Sequence, residues 1–156
     1  VAFGLKHNIL IINDNPYSFV LNDSQLSILQ VEGAKEIAME LNSLSKSHNM
    51  AGWRIGMLAG QADYIQAVLQ VKSNMDSGMF KPLQMAAVKA LGMGKSWYEQ
   101  LNATYRKRKT FAFRILDQLN CSYNKNQVGM FVWAKIPDTV SDGEALAEKV
   151  LHKSGI

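Results

Sequence analysis

The densest run of chemistry-bearing side chains in this 156-residue sequence is Ser43-Leu44-Ser45-Lys46-Ser47-His48-Asn49-Met50-Ala51-Gly52-Trp53-Arg54-Ile55-Gly56. A lysine at the end of a buried apolar stretch, followed at once by turn formers, is unusual placement for a side chain that prefers solvent. Lysine forms Schiff bases once desolvation or a neighbouring cation lowers its pKa. The hydroxyls of Ser43 and Ser45 and the guanidinium of Arg54 add anion-binding groups, and an arginine fork matches phosphate oxygens. On residue types alone, an ordinary surface-loop lysine remains the bland alternative. Upstream, Asp14-Asn15-Pro16-Tyr17 closes the apolar run Ile9-Leu-Ile-Ile12 with turn formers. A lone Asp-x-x-Tyr is unspecific, and a turn-capping aspartate explains it equally well. Its weight comes from its place at the C-terminal end of a strand, where open α/β sheets bind ligands.

The elements that must position these groups follow from periodicity. Ile9–Ile12 reads as a strand buried on both faces of a parallel sheet. A loop covers Asn22–Ser27, a second strand Ile37–Leu44, and a third Trp53–Ala59, closed by Gly60. Asp63–Lys72 reads as an amphipathic helix, Asn74–Lys81 as a loop, and Pro82 to about Leu91 as a further helix. Gly92-Met-Gly94 breaks it. From Ser96 to Leu119 the stripe Trp97, Leu101, Tyr105, Ala112, Ile115, Leu116, Leu119 marks a long helix, spanning ~36 Å at ~1.5 Å per residue. A strand at Met130–Ala134 and a helix from Gly143 to about His152, capped by Ser141 or Asp142, complete the order. The chain opens at Val1 in what reads as a helix tail and stops at Ile156, where a new strand is due. It is therefore read as a piece of a longer α/β protein.

The Ser43–Gly56 segment resembles the lysine signature of the class I and II aminotransferases, the fold-type I enzymes dependent on pyridoxal phosphate. Ser43, Leu44, Ser45, Lys46, Asn49, Met50, Gly52, Arg54, Ile55 and Gly56 all fit its pattern. The Met-Ala-Gly-Trp-Arg wording is similar to the branch of bacterial aspartate, alanine and diaminopimelate aminotransferases. Asp14 and Tyr17, at the family's usual distance before Lys46, match its Asp-x-x-Tyr element. The resemblance implies an α/β fold: the C-terminal part of a mostly parallel large domain (residues 1–92), a long bridging helix (93–120), and the start of an α+β small domain (121–156). It implies that Lys46 carries pyridoxal 5′-phosphate as a Schiff base and that Asp14 faces the pyridine nitrogen. Tyr17 would donate to the ring's phenolate oxygen, and Ser43 and Arg54 would bind the phosphate, with Ser45 beside them or only fitting the turn. It further implies amino-acid and 2-oxo-acid substrates and a homodimer, in which the Asn74–Phe80 loop reaches a partner's phosphate. The ring-stacking aromatic and the substrate-carboxylate arginine are expected outside this chain, so the piece alone is not expected to be a competent enzyme. A related lyase, decarboxylase or synthase, or a ligand-sensing domain of a transcription regulator, would share the same residues.

Other features point away from competing classes. The hydrophobic fraction of 47% and charged fraction of 19% suit a folded domain. No apolar run approaches the ~20 residues of a membrane span, and the opening residues do not read as a signal peptide. One cysteine, Cys121, fits a reducing, cytoplasmic setting and a packing role. The net charge of +4 does not by itself argue for nucleic acid. Arg106-Lys-Arg-Lys109 points to all sides of its helix and reads as a solvated face with Arg108 partly buried. His7, His48 and His152 lack metal-ligand spacing; His48 reads as a loop residue near Lys46. The methionines, Trp97 and Trp133 read as mostly core.

Overall fold

A computed structural model of the chain describes residues 1–155. Ile156, where a further strand is expected to follow, lies outside them. Three strands form a sheet of order β1-β2-β3: β1 (Ile11–Asp14), β2 (Ala38–Ser43) and β3 (Gly56–Gly60). β1 and β2 are parallel, with Asn13 opposite Glu40 and Asp14 opposite Leu41. β3 runs antiparallel to β2, with Ser43 opposite Gly56 and Met39 opposite Gly60. Glycine at both ends of β3 permits this pairing. A Cβ on Gly56 would lie 2.6 Å from the Asn42 carbonyl oxygen, and one on Gly60 2.6 Å from that of Ala38.

The strand boundaries differ from the sequence reading, by one residue at each end of β2 and by more at β1 and β3. β1 starts at Ile11 because Asn8, at φ 51°, caps the helix α1 (Ala2–His7), and the Ile9 N–H is spent on the Gly4 carbonyl. The strand then runs on through Asp14, and its Ile12 and Asp14 face is exposed rather than buried. β3 starts at Gly56 rather than Trp53, because Ala51–Trp53 form a 3-10 turn and Arg54 takes φ 52°.

Two single helical turns flank β2: α2 (Ala34–Ile37) before it and α3 (Leu44–Ser47) after it. Then come α4 (Ala62–Met75), α5 (Lys81–Leu91) with Pro82 in its first turn, and the 24-residue α6 (Lys95–Gln118). Leu44, Met50 and Ile55 are buried against Ala90, with Leu83, Ala86 and Ala87 of α5 packed alongside. Val20, Ala34, Ile37, Ala38, Met39 and Leu101 supply the rest of the buried apolar set. Past Leu101 no described residue is buried.

β4 (Ser122–Tyr123) and β5 (Ala134–Lys135) form a two-residue antiparallel ladder. The strand expected over Met130–Ala134 is thus reduced to its last residue. The Gln127 side chain accepts from the Trp133 N–H at 2.6 Å and donates to the Trp133 carbonyl at 2.8 Å, occupying the groups a longer ladder would need. α7 (Gly143–Ser154) is capped by Asp142, whose Oδ1 accepts from the Ala145 N–H at 2.8 Å.

Side-chain placement corrects three further expectations. Trp133 is 82% exposed, and only Met39 and Met50 of the methionines are buried. Arg108 is exposed, lying over the Tyr105 ring, while Lys109 is the half-buried member of the run and donates to the Gln127 carbonyl. No helix among the described residues is long and apolar enough to cross a membrane.

Candidate functional site

Lys46 sits on a single turn fixed at both ends. Ser43 leaves β2 in an extended conformation and caps that turn: its Oγ accepts from the Ser45 N–H at 3.1 Å and lies 2.9 Å from Ser45 Oγ. Ser47 Oγ donates to the Ser43 carbonyl at 3.2 Å, and the Leu44 N–H donates to the Ile55 carbonyl at 3.2 Å. Leu44, Met50 and Ile55 anchor the turn in the apolar cluster below, so Lys46 itself is half-buried.

The N-terminal part of α6 closes the other side. Trp97 Nε1 donates to the Ser47 carbonyl at 2.9 Å. The His48 ring lies parallel to Trp97 at 6.3 Å, with Nδ1 2.9 Å from Ser47 Oγ and Nε2 3.3 Å from the Tyr98 hydroxyl. His48 lies in the turn after α3, as expected of a loop residue, but is buried, 6% exposed, as a packing residue. Burial pushes its pKa below the ordinary 6.5, partly offset by a hydrogen bond to the Ala90 backbone.

Asp14 ends β1 beside this turn. Residues opposite each other in a ladder share a face, and side chains alternate along a strand. Asp14, opposite Leu41, therefore shares the face of Ser43, while Asn13, Glu40 and Asn42 lie on the other. There the Glu40 carboxylate, 9% exposed, accepts from Asn13 Nδ2 at 2.9 Å, Asn15 Nδ2 at 3.2 Å, Ser27 Oγ at 2.8 Å and the Ile28 N–H at 2.9 Å. Burial by itself would raise the Glu40 pKa; these hydrogen bonds outweigh it and hold the group below 4.5.

Tyr17 is half-buried, with its ring edge-on to Phe131 at 5.2 Å. The chain after it is pinned by Asn102 of α6, which accepts from the Leu21 N–H at 2.7 Å and donates to the Phe19 carbonyl at 3.1 Å. The Gly129 N–H adds a bond to the Val20 carbonyl at 2.8 Å.

Arg54 is exposed. It donates to the Ala51 carbonyl at 2.9 Å and lines an open cleft of about 740 Å³ with Asn49, Trp53, Lys72, Asp76 and Phe80. Lys72 is ion-paired to Asp76 at 2.5 Å. Among the described residues five non-glycine residues have positive φ: Asn8, Asn49, Asn120, Leu21 and Arg54. Asparagine tolerates that region; leucine and arginine are held there only by their surroundings. Arg54 is one of the expected site residues, and the Leu21 N–H is held by Asn102.

An amine, a carboxylate, a phenol, two hydroxyls and a guanidinium thus stand on the segments that leave the C-terminal ends of β1 and β2 and enter β3 beside them. That donor set suits a phosphorylated heterocyclic aldehyde: an amine for the aldehyde, an anion for a ring nitrogen, hydroxyls and a guanidinium for a phosphate. The family profile described as Aminotransferase class I and II matches residues 1–156. The chain belongs to the class I and II aminotransferases.

Relatives of this aminotransferase chain include LL-diaminopimelate aminotransferases from Nitratidesulfovibrio vulgaris, 37% identical over 97% of the chain, and Gloeobacter violaceus, 38% identical over its full length. Each match covers 40% of the relative, so the chain spans about two fifths of these proteins. Among solved structures, apo BacF from Bacillus subtilis superposes with a TM-score of 0.89 at 34% identity, over 99% of this chain and 40% of that one. A probable N-succinyldiaminopimelate aminotransferase from Thermus thermophilus superposes with 0.81 at 31% identity, over 89% and 38%. The α/β architecture is that of the fold-type I aminotransferases, here with a mixed parallel and antiparallel sheet.

Three groups that frame the aminotransferase segment escaped the sequence reading: Glu40, Asn102 and Tyr98, while Trp97 reads there only as core. Only Glu40 left a signal, as a lone charge inside Ala38-Met-Glu-Leu41, where a buried strand demands a partner for it. Among the described residues no group of His, Cys, Asp and Glu could hold a metal ion.

Proposed function

We propose that the full-length protein transfers an amino group from an amino acid to a 2-oxo acid with pyridoxal 5′-phosphate as cofactor. The observation that carries this reading is the half-buried Lys46 on a clamped turn after β2, beside a parallel neighbour that ends in Asp14. When bound, pyridoxal phosphate supplies an electron sink for the bond broken at the substrate α-carbon. Lys46 Nζ would hold the aldehyde carbon covalently, with loss of water, and, once displaced by the substrate amine, would carry the proton removed from the α-carbon. Asp14 accepts a hydrogen bond from the ring nitrogen and keeps it protonated. The Tyr17 hydroxyl would donate a hydrogen bond to the ring oxygen. Arg54, with Ser43 and Ser45, receives the phosphate.

In the same reading, residues 1–92 belong to the large domain, 93–120 to the bridging helix and 121–156 to the start of the small domain. The exposed apolar side chains of α4 and α5, among them Val71, Met75, Met85 and Val88, and Phe80 just before α5 support a homodimer. A cytoplasmic location fits the single unpaired Cys121. LL-diaminopimelate is the first donor to test, because relatives of that name match most of the chain. The full-length protein, given the cofactor, a ¹⁵N-labelled amino acid and a 2-oxo acid, should move the label to the acceptor. Carbon dioxide release or side-chain elimination without label transfer would replace transamination with a sibling reaction.

A further inference from the structure

We propose that Glu40 is the positioning residue for Asp14, holding it through the two asparagines on either side. The inference rests on the assignment of Asp14 to the cofactor's ring nitrogen.

Among the described residues no side chain hydrogen-bonds the Asp14 carboxylate, which is exposed at the last position of β1. Strand ends fray, so something else must define the direction of that side chain. Asn13 and Asn15 precede and follow it, and both reach the Glu40 carboxylate, Asn13 at Oε2 and Asn15 at Oε1. Asn15 also donates its side-chain amide to the Leu26 carbonyl and its backbone N–H to the Leu41 carbonyl, each at 2.9 Å. Alternation along the strand turns Asp14 to the opposite face. Pinning both neighbours to one buried group fixes the peptide planes on each side of Asp14 and hence the direction of its Cα–Cβ bond. Glu40 lies opposite Asn13 in the ladder, so it acts without touching the ligand face.

The rival role is loop anchorage, since Glu40 also holds Ser27 and the Ile28 N–H. A double-mutant cycle separates the two. In the full-length protein, pyridoxal-phosphate affinity is titrated by fluorescence quenching for wild type, Glu40→Gln, Asp14→Asn and the double variant, with Ser27→Ala as the loop probe. Glutamine cannot present two accepting oxygens, so it breaks the shared tie. Glu40→Gln should weaken cofactor binding by roughly tenfold when Asp14 is present and by less than about twofold in the Asp14→Asn background. It should also shift the pH dependence of the bound cofactor's absorbance in the direction Asp14→Asn does. Ser27→Ala should leave the affinity within about twofold.

Equal losses from Glu40→Gln in both backgrounds, or an equal loss from Ser27→Ala, overturn the inference while leaving the Asp14 assignment intact. Unchanged affinity in Asp14→Asn itself overturns that assignment and the inference with it. If Glu40→Gln does not fold, Asn13→Ala/Asn15→Ala takes its place in the cycle, and absence of coupling to Asp14 is decisive against the proposal.

Discussion

Residues 11–60 and residues 102–155 are linked through α4, α5 and the start of α6, yet they are held by different means. The first region carries most of the buried apolar side chains, a buried carboxylate with four donors and a buried histidine between two aromatic rings. The second has no buried residue; its ties are half-exposed, such as Phe113 stacked on Tyr123 at 4.4 Å and the Tyr123 hydroxyl donating to Asp117 at 2.8 Å. Expected chemistry and over-determined backbone coincide in the first region. Groups that must keep one geometry lie where packing and hydrogen bonds leave the backbone little freedom, whereas within this chain, which spans about two fifths of its relatives, the second region has few contacts of its own.

One residue type tests this contrast in both regions of the 156-residue chain. Ile55 is 6% exposed and Ile115 is 55% exposed. Ile55→Ala should cost about 2–5 kcal/mol in denaturant unfolding, and Ile115→Ala about 0.5 kcal/mol or less. Equal losses would remove the distinction. Asn102→Ala should come next, at about 1–3 kcal/mol, because it strands the Leu21 N–H and the Phe19 carbonyl. Hydrogen exchange should accelerate at Leu21 and leave α7 unchanged.

Acid should sharpen the comparison further. His48 is held below 6.5 and Glu40 below 4.5, so in each case the unfolded chain takes up its proton first as the pH falls. The His48 contribution is complete above 6.5 and declines below it, and the Glu40 contribution is complete above 4.5 and is lost as the pH drops through its folded value. Denaturation midpoints measured across pH should fall in two steps, the upper absent in His48→Gln and the lower reduced in Glu40→Gln, where Asp76 and Asp142 still titrate below their ordinary value. An upper step unchanged in His48→Gln, or a lower step unchanged in Glu40→Gln, contradicts the assignment. The smallest effect belongs to the second region: Asp142→Ala removes the α7 cap, about 1 kcal/mol, with faster exchange confined to that helix.

Legibility in the sequence divides along similar physical lines. Contiguous signals were readable: the Ser43–Gly56 segment, Pro82 inside α5, the stripe of α6 and the cap of α7 all act within a few residues. Partnerships across the chain were not. Glu40 meets groups 12 to 27 residues away, and Asn102 meets a loop 81 to 83 residues away. The Met130–Trp133 run has the composition of a strand but no ladder partner, since Gln127 occupies the backbone of Trp133. Periodicity also missed the direction of β3, which depends on where the Ala51–Trp53 turn sends the chain.

The assignment of the cofactor to Lys46 has a direct chemical test. Full-length protein loaded with pyridoxal phosphate, reduced with borohydride and digested, should yield one modified peptide, with the cofactor mass on Lys46 and absent from Lys46→Ala. A label on another lysine, or an undiminished label in Lys46→Ala, would contradict the account.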